Sequence, residues 1–138
     1  MYENTCTLRV RYGETDQMGF VYYGLYAQFY EVGRVEMIRS LGLTYKSFED
    51  SGIMMPVLEM NSKYLKPARY DDLLKIHTQL IQYPKARIYF QYKIYNEEGE
   101  LLNLGETTLV FVNMKTGKPC PPPQPLLKAL QPYFPEAN

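Results

Sequence analysis

The period of hydrophobic and polar positions changes once near the start of the chain and then settles into alternation. In 7-TLRVRY-12, Leu8, Val10 and Tyr12 share one side and Arg9 and Arg11 the other, which predicts a half-buried strand. From about Gly24 the period lengthens. Tyr26, Tyr30, Gly33, Met37 and Leu41 recur at three- and four-residue spacings, which predicts a helix ending near Gly42. Its opposite flank places Glu31 with Arg34 and Glu36 with Arg39 at i,i+3 spacing, predicted as a solvated or interface-facing face. Gly33 is unfavourable inside a helix, so on the apolar face it predicts close approach of a sheet.

Alternation then dominates. After the turn-like 50-DSG-52, the segment 53-IMMPVLEMNSKYLKPA-68 reads as one long strand with an edge or bulge at Pro56, which has no N–H to give a ladder. Three further strands are predicted at Leu73 to Gln82, Arg87 to Tyr95 and Leu101 to Met114, with a hairpin turn at 96-NEEGE-100. The 118–138 segment is a proline-rich C-terminal extension in which 126-LLKALQPYF-134 predicts a short helix. The fold class is therefore α+β: one long helix whose apolar stripe is wrapped by a curved antiparallel sheet of about five strands. Residues 1–138 read as a single domain.

Composition narrows the chemistry. Fifteen basic and fifteen acidic side chains balance, which removes the footprint of a general nucleic-acid binder. Cys6 and Cys120 lack metal-ligand or disulfide-framework spacing, and His77 sits alone in the alternating run 74-LKIHTQL-80, where a structural role is expected. No metal or cofactor is expected. No apolar run is long enough to span a bilayer, and MYENTCTLRV lacks the basic-then-apolar pattern of a secretory signal, so a cytoplasmic location is expected.

The remaining chemistry lies in 14-ETDQMGFVYYGLY-26, where Asp16 stands in a glycine-punctuated loop just before the helix. A carboxylate there is suited to attack or to general-base work. The first N–H groups of a helix have no intrahelical acceptor and suit a developing oxyanion. Glu31 and Glu36 are the rival carboxylates, read here as a solvated helix flank.

The order of elements together with 15-TDQMGFVYYGLY-26 and 63-KYLKPARYDD-72 resembles the hotdog-fold 4-hydroxybenzoyl-CoA thioesterase family, including its bacterial acyl-CoA thioesterase branch. The motif is met by Thr15, Asp16, Gly19, Val21, Tyr22 and Tyr26. The aromatic at Tyr23 is that of the hydroxybenzoyl-CoA branch; the acyl-CoA branch often has histidine or asparagine there. The resemblance implies hydrolysis of an acyl-CoA thioester to free acid and CoA. Asp16 would be nucleophile or general base, and the Tyr23 backbone N–H the oxyanion donor. Gly19, Val21, Tyr22 and Tyr26 would contact the acyl group, with Tyr64 a further candidate. Lys63, Lys66 and Arg69 at the strand end, and Lys85 with Arg87 at the turn, are the candidates to meet the CoA phosphates. A homodimer or homotetramer joined through the Ile53 to Ala68 strand is also implied. A non-catalytic acyl-thioester-binding or structural subunit and an acyl carrier protein thioesterase are the competing readings. A hydratase would need a histidine near the helix start, and none is present.

Overall fold

The computed structural model describes residues 1–137. Seven strands and three helices follow the chain: β1 (Tyr2–Arg9), α1 (Tyr26–Ser40), α2 (Tyr45–Asp50), β2 (Ile53–Met54), β3 (Val57–Tyr64), β4 (Leu73–Leu80), β5 (Arg87–Tyr95), β6 (Leu101–Val110), β7 (Val112–Asn113) and α3 (Gln124–Leu130). Five strands form one antiparallel sheet in the order β1-β4-β5-β6-β3, and β2 pairs with β7 in a separate two-stranded ribbon. The long helix lies on this sheet, as its apolar stripe requires.

The first strand begins earlier than the alternation suggested, at Tyr2, and Tyr12 leaves it as the exposed first residue of a 3-10 turn over Tyr12–Glu14 whose last residue, Glu14, is buried. The long strand expected from Ile53 to Ala68 is broken. Pro56 separates β2 from β3, a register shift follows between Val57 and Glu59, and pairing stops at Tyr64. Proline's missing N–H explains the first break. The strand expected to run to Met114 is likewise split between β6 and β7. Helix α2 was not anticipated; Thr44 caps it by accepting a hydrogen bond from the Ser47 N–H at 3.0 Å.

Gly33 meets the expectation of a close helix–sheet contact: a Cβ there would lie 2.5 Å from Thr78 Oγ1 and 2.9 Å from Ile76 Cγ2. Gly105 does the same for the opposite partner, because a Cβ would collide with the Tyr30 ring. Tyr30 stacks on Tyr92 with centroids 4.5 Å apart and hydrogen-bonds Ser62 Oγ at 2.6 Å and the Asn103 carboxamide. Burial pushes the Tyr30 phenol up to about 12, so it stays a neutral donor.

The charged flank of α1 differs from its prediction. Arg39 pairs with Glu36, but Arg34 turns inward, buried, and its guanidinium reaches the Tyr92 hydroxyl at 3.4 Å instead of Glu31. Leu126, Leu130 and Phe134 of the C-terminal segment join the core.

Candidate active site

The loop before the helix is a small closed structure. Thr15 and Val21 form an antiparallel bridge, the Asp16 N–H donates to Phe20 C=O at 2.8 Å, and the Gly19 N–H returns to Asp16 C=O at 3.0 Å. Gly19 sits at φ 77°, a conformation that favours glycine and allows the reversal. Two further ties seat the loop on the fold: Phe20 bridges Arg69, and the Val21 N–H donates to Ala68 C=O at 2.8 Å. Thus 15-TDQMGFV-21 and 66-KPAR-69, distant in sequence, meet in space.

The Asp16 carboxylate is held at one oxygen. Oδ1 accepts from the Met18 N–H at 2.9 Å and the Phe20 N–H at 3.2 Å, whereas Oδ2 has no hydrogen-bond partner among the described residues. Two oriented backbone donors on one oxygen fix the direction of the carboxylate. A 3-10 turn over Tyr23–Leu25 then runs directly into α1. The amides of Tyr23 and Gly24, at its start, find no acceptor among the described residues, while the Leu25 N–H donates to Tyr22 C=O at 2.9 Å. Two unclaimed N–H groups therefore stand at the positive end of a helix, within the chain segment that carries the carboxylate.

A cavity of about 270 Å³ joins these parts, with Asp16, Phe20, Tyr23, Tyr26, Tyr64 and Lys66 among its lining residues. Val21 lines it too. Of the residues expected in the site, Gly19, Tyr22 and Arg69 stand outside this lining. The Tyr22 ring instead packs against Tyr23 with centroids 4.7 Å apart, and the Arg69 guanidinium covers the Phe20 ring at 4.9 Å. Lys66 is paired with Glu100. Met18, Phe20, Leu65 and Pro67 complete the wall and were not anticipated. Phe20 and Met18 follow Asp16 in the same tight loop, and that nearness was the available signal.

The rival carboxylates are elsewhere in role. Glu36 is engaged by Arg39, and Glu31 is exposed on α1. Lys85 and Arg87 border a different hollow of about 830 Å³ at the β4–β5 turn, together with Tyr83 and Phe134. Strand register puts that turn at the other end of the sheet, since Arg87 pairs with Val110 whereas Tyr64 pairs with Asn103. His77 lies on the outer sheet face between Thr5 Oγ1 and Glu3 Oε1, each 3.0 Å away. Both cysteines are unbridged, and no cluster able to hold a metal ion occurs among the described residues.

Residues 10–130 match the thioesterase-like superfamily, and the chain belongs to that family. It is 36% identical over 119 residues to the putative acyl-CoA thioesterase YneP of Bacillus subtilis, covering 86% of each chain. It is 35% identical over 112 residues to the acyl-CoA thioester hydrolase YbgC of Escherichia coli, covering 81% of this chain and 84% of that one. Among solved structures, the DHNA-CoA thioesterase from Staphylococcus aureus superposes with a TM-score of 0.85 at 36% identity, over 99% of this chain and 86% of that one. The fold is thus the hotdog fold expected from the motif, and the protein is a thioester hydrolase.

Proposed function

We propose that the protein hydrolyses acyl-CoA thioesters at the Asp16 cavity. The observation that carries the reading is the carboxylate locked at Oδ1, with Oδ2 unclaimed, beside the unclaimed Tyr23 N–H of the helix start. The names of the relatives support a CoA ester as substrate. Asp16 either attacks the carbonyl carbon, giving a mixed anhydride that water then opens, or takes a proton from a water that attacks. In both routes negative charge develops on the thioester oxygen and CoA leaves as the thiolate. The Tyr23 N–H stabilises that oxygen. A preorganised donor of this kind contributes on the order of 3 kcal/mol to the transition state.

The assembly proposed is a homo-oligomer closed through β3. That strand ends the sheet, so one row of its N–H and C=O groups lacks a protein partner in a single chain. Val57, Leu58, Met60 and Tyr64 on it are each between 46% and 48% exposed, whereas the corresponding apolar residues of β5 are buried. A second copy of the same edge covers both the backbone row and the apolar side chains.

The test is release of free CoA thiol from aliphatic and aromatic acyl-CoAs, measured on wild type and Asp16→Asn. Turnover by the wild type and its loss in a folded variant are expected. A wild type that binds the esters without releasing thiol overturns the catalytic reading, and an active variant overturns the assignment of Asp16. A single turnover in ¹⁸O-water separates the two routes: general-base attack puts the heavy oxygen in the released acid, whereas an anhydride opened at the Asp16 carbonyl leaves it in the Asp16 carboxylate and the released acid unlabelled.

A further inference from the structure

The donor at the helix start belongs to a peptide chain that something must hold still. Tyr23 C=O accepts two hydrogen bonds, one from the Tyr26 N–H of its own turn and one from the Tyr64 hydroxyl of β3 at 3.1 Å. The carbonyl of Tyr23 and the N–H of Gly24 share one peptide plane. Filling both lone pairs of that oxygen therefore fixes the plane and polarises the Gly24 N–H, which has no acceptor among the described residues.

Three more observations converge on this peptide. The Tyr64 ring meets Tyr23 and Tyr26 edge-on, at centroid distances of 6.4 Å and 5.1 Å with interplanar angles of 86° and 88°. Tyr64 also lines the Asp16 cavity. At Gly24 a Cβ would lie 2.6 Å from Tyr22 Cε2, so the Tyr22 ring lies over this peptide.

We propose that Tyr64 is a positioning residue for the hydrolysis: its hydroxyl clamps the Tyr23–Gly24 peptide, so that the Tyr23 and Gly24 N–H groups are presented together to the thioester oxygen. This rests on the proposed activity at Asp16. It goes beyond that reading by giving the oxyanion a second donor and by tying the donor pair to the last residue of β3, the strand that carries the exposed edge. Tyr64 touches the donor peptide and exerts its effect through it.

The variant to measure is Tyr64→Phe, which keeps the ring and removes only the hydroxyl. Turnover should fall about 5- to 10-fold, the factor expected for one lost hydrogen bond that matters in the transition state, with KM changed less than about twofold. Tyr64→Leu removes the ring as well; Tyr64→Phe should restore its thermal stability but not its rate. The second readout is the carbonyl stretch of an aromatic acyl-CoA bound to Asp16→Asn, which should move back toward its value in water when Tyr64→Phe is added. Wild-type turnover in Tyr64→Phe with an unmoved carbonyl band overturns the proposal, as does full rescue of the rate by phenylalanine. If wild type binds the ester but never releases thiol, the activity reading fails while the carbonyl band still decides the role of Tyr64.

Discussion

The two sides of α1 face different surroundings. Toward β4, β5 and β6 the helix is sealed: Gly33 lies against Thr78 and Ile76, Tyr30 against Tyr92 and Gly105, and the burial of β4 and β5 alternates strictly. Toward β3 and the 15–21 loop it is open, and every residue of β3 except Ser62 is exposed. The sealed side is built of close contacts with no spare room. The open side holds the carboxylate, the unclaimed N–H groups and the apolar strand edge. In the proposed hydrolysis, stability and chemistry are separated across one helix, with substrate reaching the carboxylate from the open side.

The sharpest way to test this separation is Asp16→Asn. Turnover is expected to drop about 10²- to 10⁴-fold, the range for loss of a positioned acid–base group, while the melting temperature stays within a few degrees. A large fall in melting temperature would mean that the open side also holds the fold together.

Gly105→Ala probes the sealed side. The new methyl enters the space of the Tyr30 ring and disturbs its bonds to Ser62 and Asn103, so denaturant titration should show a loss of about 2 to 4 kcal/mol. A change under 1 kcal/mol would show that Tyr30 can retreat.

Met60→Lys places a charge on the exposed edge strand. Sedimentation should show subunit dissociation raised roughly 100-fold, with the stability of the separate chain changed by less than about 0.5 kcal/mol. An unchanged mass would mean that this edge is not the one that pairs.

The smallest effect is expected at Thr78→Val. Thr78 is fully buried and its Oγ1 has no hydrogen-bond partner among the described residues, so replacing the hydroxyl with a methyl should stabilise by about 0.5 to 1 kcal/mol. Destabilisation would reveal a partner for that oxygen on the sealed side.

How much of this was legible depends on the range of the interaction. The helix was visible from Tyr26, Tyr30, Gly33 and Met37 because a fixed period of 3.6 residues writes its buried face into the sequence. Strands β4 and β5 were visible for the parallel reason. Arg34 misled because i,i+3 spacing to Glu31 states what can pair on a bare helix, whereas tertiary contact with Tyr92 decided where the guanidinium went. The break of the Ile53 to Ala68 strand was half legible: proline marked the position, but which fragment joined which sheet depended on β6 and β7.

By itself the sequence determined the helix, the alternation of the central strands, the motif around Asp16 and the close approach at Gly33. These are local or periodic properties, set by backbone sterics and by side-chain direction. The tertiary structure alone decided that 66-KPAR-69 would anchor the 15–21 loop, that the Tyr64 hydroxyl would reach the Tyr23 carbonyl 41 residues away, and that β3 would be left with a bare edge. Those are contacts between distant segments, and no spacing along a chain records them, because they exist only once a sheet has brought the segments together.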